Sequence, residues 1–132
     1  MWTTNIQNTV LTRIKAEGNK QLKSKYPDIR FTTSSKTQTN PKFPTVYVKR
    51  MQGAERGQTL DGQSVNAILS SFQIEVADNV SDDRAQEVAD VVYEIMKSMR
   101  FQVLGEPIAD NTDSEYRNIA RYQRLIGAND II

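Results

Sequence analysis

The chain has 132 residues and a formal net charge of +1, from 17 Lys and Arg against 16 Asp and Glu. It contains no cysteine and no histidine, which excludes disulfides, cysteine nucleophiles, Ser-His-Asp triads and metal sites built on those residues. The length favours a single domain spanning 1–132, with enough buried surface for one ordinary core.

The first residues lack the basic-then-apolar pattern of a secretory signal. No apolar stretch approaches the ~20 residues of a membrane-spanning helix. We therefore expect a protein that is made in the cytoplasm and has no membrane partner.

The first predicted element is a helix over 4–24. Apolar side chains recur at helical spacing at Ile6, Val10, Ile14 and Leu22, with Leu11 beside them. Gly18 interrupts this repeat and costs about 1 kcal/mol relative to alanine, so we expect a kink or a break there. Pro27 ends the element, because proline disfavours helical geometry at the residue before it.

Three strands are predicted next. The first covers 29–35, and a polar stretch follows it up to Pro41. The second, 45–51, is rich in β-branched and aromatic residues. Three glycines among mostly polar residues predict a long hairpin arm over 52–64, since ordinary strand connections have about two to five residues. The third strand, 68–77, alternates apolar and polar residues, so one of its faces is predicted to lie in the core.

A second helix is predicted over 82–100. Ser81 is its expected N-cap, and Asp82 and Asp83 suit the positive end of the helix dipole. Its apolar stripe consists of Ala85, Val88, Ala89, Val92, Ile95, Met96 and Met99. A short strand at 101–104, a final strand at 115–126 and a tail at 127–132 complete the chain.

The final strand has two mixed faces. One carries Tyr116, Ala120, Tyr122 and Ile126, and the other carries Arg117, Ile119, Arg121 and Leu125. Mixed faces predict a bulge or a second covering surface. The whole order, α-β-β-β-α-β-β, predicts an α+β fold: a mostly antiparallel sheet packed by two helices, with a long β-hairpin arm.

Candidate catalytic and metal sites are weak. Asp82 and Asp83 are explained by the helix start, and Asp110 with Asp113 lacks the glycine and distal glutamate of a calcium loop. Segment 53–57 contains two glycines but lacks the Lys-Ser/Thr ending of a phosphate loop. We therefore assign no catalytic, metal-binding or cofactor-binding residue, and expect no cofactor.

Charge is distributed unevenly along the chain. Residues 1–57 contain 11 basic and 3 acidic side chains, whereas 58–132 contain 6 basic and 13 acidic ones. Either the two halves mix in one sheet and the charges average out in space, or the subunit has a positive and a negative face suited to head-to-tail packing.

Basic side chains accompany both the arm and the last strand. They are Lys49, Arg50 and Arg56 at the arm, and Arg117, Arg121 and Arg124 beside Tyr116 and Tyr122 on the strand. Such a pattern suits phosphate contacts and base stacking. Cross-strand ion pairs with Glu75 and its neighbours are the favoured explanation, because the net charge is far below that of a dedicated nucleic-acid binder.

Five features follow one another along the chain. They are a leading helix; the strand Pro44-Thr45-Val46-Tyr47-Val48 with the long arm after it; the strand Phe-Gln-Ile-Glu-Val at 72–76; an acidic-capped helix of about five turns with Phe101 directly after it; and a closing Tyr-Arg-x-x-x-Arg-Tyr strand at 116–122. In this succession, over about 4–126, the chain resembles the tail-terminator or tail-completion proteins of long-tailed bacteriophages. Members often have glycine before the post-helix aromatic, where this chain has Arg100.

The resemblance implies a structural virion subunit without catalytic activity. Such subunits form a homo-oligomeric ring, commonly a hexamer, at the head-proximal end of the tail tube, where the ring stops tube growth and joins the tail to the head. The implied partners are further copies of the chain, the tail tube protein and the head–tail connector. DNA passes transiently and non-specifically through the lumen. The implied location is the tail or neck of the virion, after assembly in the host cytoplasm.

Two sets of residues are candidates for contacts in such a ring. The candidate subunit or tube interface is Arg50, Gly53, Arg56, Gly57 and Leu60. The candidate lumen or phosphate-contacting residues are Lys49, Arg117, Arg121 and Arg124. The alternatives are another head–tail connector, neck or minor capsid protein; a small nucleic-acid-binding module; and a small enzyme, for which no convergent set of carboxylates, lysine or tyrosine is visible.

Overall fold

The structure is a computed structural model that describes residues 6–33, 42–51, 54–58, 65–105, 107–111, 115–127 and 132. Two helices pack on a mostly antiparallel sheet, which confirms the predicted α+β class. The elements in chain order are α1 (Ile6–Leu22), β1 (Arg30–Thr32), β2 (Thr45–Arg50), β3 (Ala54–Gln58), β4 (Val65–Asp78), α2 (Asp82–Ser98), β5 (Gln102–Val103), β6 (Ile108–Ala109) and β7 (Tyr116–Gly127).

Strand β4 is the centre of the sheet. The strand order is β1-β2-β4-β7-β5, while β3 also pairs with β4 and β6 also pairs with β7. β1 and β2 are parallel, and the other described pairs are antiparallel. The register between β4 and β7 is unbroken from Ala67 opposite Gly127 to Asp78 opposite Tyr116. The bulge expected in the last strand is therefore absent from its pairing with β4.

The core lies between the helices and one face of the sheet. α1 contacts β1 and β2, whereas α2 contacts β4, β7 and β5. The predicted apolar stripes of both helices are buried, with Ala89 and Leu11 partly buried at their margins. The predicted inward face of β4 is also buried: Ile68, Ser70, Phe72, Ile74 and Val76.

α1 runs without interruption through Gly18, so the expected break is absent. A Cβ built at Gly18 would lie 2.5 Å from Cζ of the buried Phe31 side chain in β1. Glycine is therefore needed at this position for close packing between the helix and the strand. α1 ends at Leu22, before Pro27, and the amide of Tyr26 donates a hydrogen bond to the Leu22 carbonyl over 2.7 Å.

Both ends of α2 are capped. The Ser81 hydroxyl accepts a hydrogen bond from the Arg84 amide over 3.2 Å, which confirms the predicted N-cap. At the other end, the Arg100 amide donates to the Lys97 carbonyl over 2.9 Å, and the Phe101 amide donates to the Met96 carbonyl over 3.0 Å. These two bonds are those of a Schellman motif, in which the residue after the cap is left-handed and usually glycine. Here that residue is Arg100, with φ of 65°.

β3 lies in the first half of the predicted β-hairpin arm and pairs antiparallel with the first half of β4. β6, which lies directly after Pro107, was not expected as a separate strand. The rest of the arm, 52–53 and 59–64, lies outside the described residues, as do 128–131 of the tail. Ile132 is partly buried against the core and accepts a hydrogen bond from Arg13 Nη1 over 3.4 Å.

Candidate interaction surface

The sheet has a second face, on the side opposite the helices, which we call the outer sheet face. It is formed by alternate residues of β2, β4 and β7. Cross-strand register places Lys49, Gln73 and Arg121 in one row and Tyr47, Glu75 and Ile119 in the next. Leu104 extends the first row, because its amide donates to the Arg121 carbonyl over 2.7 Å. Ile108 of β6 extends the second row, because it pairs with Ile119.

Three of the four predicted lumen or phosphate-contacting residues lie together on this face: Lys49, Arg117 and Arg121. Arg117 is engaged by two carboxylates, with Nη1 3.3 Å from Glu75 Oε1 and Nη2 2.9 Å from Glu115 Oε2. The hydrogen bond to Glu115 raises the pKa of the Arg117 guanidinium, and the Glu75 charge adds to the shift. The cross-strand ion pair with Glu75 that the sequence favoured is therefore present.

Among the residues that the structure describes, the other two cations of the outer sheet face, Lys49 and Arg121, form no ion pair. Arg121 Nε donates to Gln73 Oε1 over 3.3 Å. The exposed Lys49 belongs to no ion pair within the described part of the chain. Lys49, Gln73, Glu75 and Arg117 line one polar cleft of about 280 Å³, together with Thr33 and Tyr47.

Large apolar side chains are also exposed around these charges. Leu125 is 54% exposed and points outward, since it alternates with the buried Arg124 and Ile126. Ile108 is 64% exposed and Leu104 is 40% exposed, both at the β5–β6 edge. A face that combines exposed leucine and isoleucine with tyrosine, arginine and paired charges has the composition of a protein contact.

The fourth predicted residue, Arg124, has a different environment. It lies on the core side of β7, is only 8% exposed, and its Nη1 donates to the Met99 carbonyl over 3.0 Å. It thus holds the C-terminal end of α2 rather than facing outward. Its burial explains why the inner side of β7 has a mixed composition.

The tyrosines of β7 do not accompany its outward arginines. Tyr122 is buried on the core side, and this burial raises the pKa of its hydroxyl to about 12. Tyr116, which alternates with Arg117, is half-buried. The interleaving of arginine and tyrosine in sequence is therefore divided between two faces of the sheet, and Tyr122 is not available for base stacking.

The predicted arm residues are placed only in part. Arg50 ends β2, half-buried on the core side of the strand. Arg56 and Gly57 lie in β3, where Arg56 is opposite Ala67 of β4. Gly53 and Leu60 lie outside the described residues. β3 of the arm therefore pairs with the first half of β4, and β2 pairs with its second half.

A polar network at the end of α1 was not found from the sequence. Glu87 of α2 accepts hydrogen bonds from Lys25 Nζ over 2.7 Å and from the Tyr26 hydroxyl over 2.7 Å. The Lys25 bond, and then the Tyr26 bond, lower the pKa of the Glu87 carboxyl. Arg84 stacks over the Tyr26 ring, 4.8 Å from its centre. The partners are 61 and 62 positions apart in the chain, and no short sequence motif marks such a pairing.

Arg84 also connects this network to Asp78 at the end of β4. Asp78 is fully buried, with Oδ1 3.4 Å from Arg84 Nη2. Its Oδ2 accepts hydrogen bonds from the amides of Val80 and Ser81 over 3.0 and 3.1 Å. The carboxylate thus fixes the turn between β4 and α2, which the sequence indicated only as a helix start.

Within the described ranges, no three acidic side chains are grouped so that they could hold a metal ion. Neither helix described is long and apolar enough to span a membrane. No protein-family profile matches the chain, and no curated protein sequence matches it. Among 22 solved chains that match, one without a functional description covers 85% of this chain and 92% of its own, at 15% identity and a TM-score of 0.40. A likeness this low carries no argument about fold or function.

Proposed function

We propose that this chain is a structural subunit of a bacteriophage virion. It forms a homo-oligomeric ring at the head-proximal end of the tail tube, terminates tube growth and joins the tail to the head. It acts by assembly and not by catalysis. In this role the outer sheet face docks on the tail tube protein, and DNA passes through the ring without being recognised by sequence.

The observation that carries this proposal is the composition of the outer sheet face. No described element covers it, yet it exposes Leu104, Ile108 and Leu125 beside ion-paired and hydrogen-bonded arginines. A dedicated nucleic-acid surface would present unpaired cations and exposed aromatic rings. A face whose arginines are engaged by neighbouring side chains and whose aliphatic side chains are exposed is better suited to another protein.

The arrangement of the motifs behind the resemblance also supports the proposal. The strand 44–48 and the strand 72–76 pair directly as β2 and β4, and the closing strand pairs with β4 on its other side. Phe101, directly after α2, packs edge-on against Phe72 of β4 with ring centres 5.5 Å apart. The segments that carry the resemblance thus form one contiguous unit.

Native mass and tube capping test the proposal together. We expect the purified protein to form a ring alone or on tail tubes, and to stop elongation when it is added to growing tubes. Negative-stain images should show one ring at one end of each tube. A ring that binds only connector-sealed heads would instead identify a neck protein, and tight, steeply salt-dependent DNA binding by a monomer would identify a nucleic-acid-binding module.

A pair of variants tests the outer sheet face itself. Ile108→Lys introduces a charge among its exposed apolar side chains, and we expect at least a tenfold loss of tube capping. Val80→Lys is the matched control, because Val80 is 57% exposed but lies in the turn before α2. Equal capping by both variants would contradict the assignment of the face to tube docking.

A further inference from the structure

The uneven charge of the sequence is segregated in space onto the two helices. α1 and the turn after it, 6–25, carry five basic side chains and one acidic one. α2, 82–98, carries five acidic side chains and two basic ones. Both helices lie on the same side of the sheet, with α1 over β1 and β2 and α2 over β4, β7 and β5. The helical layer therefore has a basic helix toward one edge of the sheet and an acidic helix toward the other.

On α2 the acidic side chains form a row. Asp83, Asp90 and Glu94 are all exposed. Spacings of seven and four residues bring them to the same side of a helix, opposite the buried stripe. The row extends over eleven residues, or about 16 Å along the helix axis. Five acidic side chains on one helix are more than its N-terminal dipole requires, since that effect fades within the first turn.

On α1 the exposed side has a basic margin and a shallow groove. Lys15 and Lys20 of α1 are exposed, and so is Lys23 in the turn directly after the helix. A groove of about 550 Å³ lies along the solvent side of the helix. It is lined by Asn8, Thr9, Thr12, Arg13, Ala16 and Ile132. Its mostly small side chains leave room for a second helix to approach.

Contacts within the subunit use only part of these charges. Glu87 binds Lys25, and Lys20 lies 3.7 Å from Glu17. Lys15, Lys23, Asp90 and Glu94 take part in no ion pair among the residues that the structure describes. Opposite charges therefore remain on two adjacent helices of one molecule, and the exposed charges of each helix find their complement on the other helix of a second copy.

We propose that the acidic side of α2 in one copy of the chain packs against the basic side of α1 in the next copy. This contact closes the ring, and it rests on the ring assembly proposed above. The partner is a second copy because each surface finds its complement on the other helix of the same chain. The contact is heterologous, so each copy keeps one unused surface until the ring is complete.

Charge exchange between two variants tests the contact. The acid-reversed variant carries Asp90→Lys and Glu94→Lys, and the base-reversed variant carries Lys15→Glu and Lys23→Glu. None of these positions makes an ion pair within the described chain, so the substitutions break no such pair in the fold. We expect each variant alone to associate at least 100-fold more weakly at low salt, because like charges then face each other.

An equimolar mixture of the two variants should recover the ring. The unchanged α1 of one variant then meets the unchanged α2 of the other, and the two reversed helices also meet with opposite charge. Combining all four substitutions in one chain should recover association in the same way. Asp110→Lys reverses an exposed charge directly after β6, at the edge of the sheet and on neither helix, and should leave association unchanged.

Mass measurements on these samples, with circular dichroism to verify folding, separate the possible outcomes. Dissociation of each variant with recovery in the mixture supports the contact. The contact is overturned if either variant associates as strongly as the wild-type protein. It is also overturned if the variants dissociate and neither the mixture nor the four-substitution chain recovers association. Both outcomes leave the proposed function standing. A wild-type protein that stays monomeric both in solution and on tail tubes overturns the proposed function as well.

Discussion

Replacing Arg100 with glycine tests the geometry at the end of α2. Arg100 has φ of 65°, and a left-handed conformation costs a residue with a Cβ about 1–2 kcal/mol. Glycine removes this strain but has greater freedom in the unfolded chain, which costs about 0.5–1 kcal/mol. The Arg100 side chain is exposed, and its backbone hydrogen bond is kept. We therefore expect Arg100→Gly to raise the free energy of unfolding by about 0.5–1 kcal/mol.

Urea unfolding followed by circular dichroism measures this change. For a chain of this length, a gain of 1 kcal/mol corresponds to a rise in Tm of roughly 3 °C. Gly105→Ala is the matched control with the opposite sign. Gly105 has φ of 71°, and no described atom lies within 4 Å of an added Cβ, so its expected loss of about 1 kcal/mol comes from the backbone alone. If Arg100→Gly lowers the stability while Gly105→Ala behaves as expected, the argument about the helix end is refuted.

Three further substitutions test the packing and the polar contacts by the same unfolding assay. Gly18→Ala should destabilise the protein by about 1–2 kcal/mol, because the clash with Phe31 outweighs the gain in helix propensity. Adding Phe31→Leu should recover part of this loss of stability. If the double variant is no more stable than Gly18→Ala alone, the clash with Phe31 is not the cause of the loss. Asp78→Ala should lower the free energy of unfolding by about 3 kcal/mol, since it leaves two amides and Arg84 without their buried acceptor. A loss below 1 kcal/mol would contradict the role of the Asp78 carboxylate in holding the turn between β4 and α2. Glu87→Gln should lower the stability at neutral pH. In the folded state the pKa of Glu87 is below its ordinary value of 4.5. The stability that the ionised carboxylate contributes is therefore present above that value and disappears as the pH falls through the lowered pKa. If the difference in free energy of unfolding between Glu87→Gln and the wild-type protein does not shrink in acid, the ionised Glu87 is not the source of this stability.

The elements with regularly spaced apolar residues, α2 and β4, were predictable because that spacing is visible within the segment itself. α2 has an N-cap, an acidic first turn and a continuous apolar stripe, and each of these has the predicted role in the structure. The alternation in β4 likewise identified its buried face. In both cases the apolar residues that mark the element in the sequence are the ones that pack in the core, so the sequence pattern and the observed packing agree.

The details that the sequence did not predict depend on contacts made elsewhere in the fold. β3 has the sequence Ala-Glu-Arg-Gly-Gln, which has little β propensity, and it is extended because it pairs with β4 across the hairpin. When α1 is considered alone, Gly18 indicates a weak point in the helix. The presence of glycine is explained by the side chain of Phe31, which leaves no room for a Cβ at this position. Arg124 was grouped with Arg117 and Arg121, although alternation places it on the side of Tyr122; its buried partner is the Met99 carbonyl.

The candidate surface was predictable in the same limited sense. Alternation along β7 correctly separated Arg117 and Arg121 from Tyr122. It could not indicate that Lys49 of β2 lies in the same row as Arg121, because that placement requires the register of three strands. The exposed apolar side chains at Leu104 and Ile108 carry no sequence signal of their own, since exposure is decided by what the rest of the chain leaves uncovered.

The long pairing of β4 with β7 has a consequence for folding kinetics. Paired residues are separated by between 38 positions, for Asp78 and Tyr116, and 60 positions, for Ala67 and Gly127. Loops of this size close slowly, and topologies dominated by distant pairings fold orders of magnitude more slowly than helical bundles. Helix α2 lies between the two strands in sequence and can form before they meet. We therefore expect the pairing of β7 with β4 to limit the folding rate, so that a subunit of the proposed ring becomes competent to assemble only after this step.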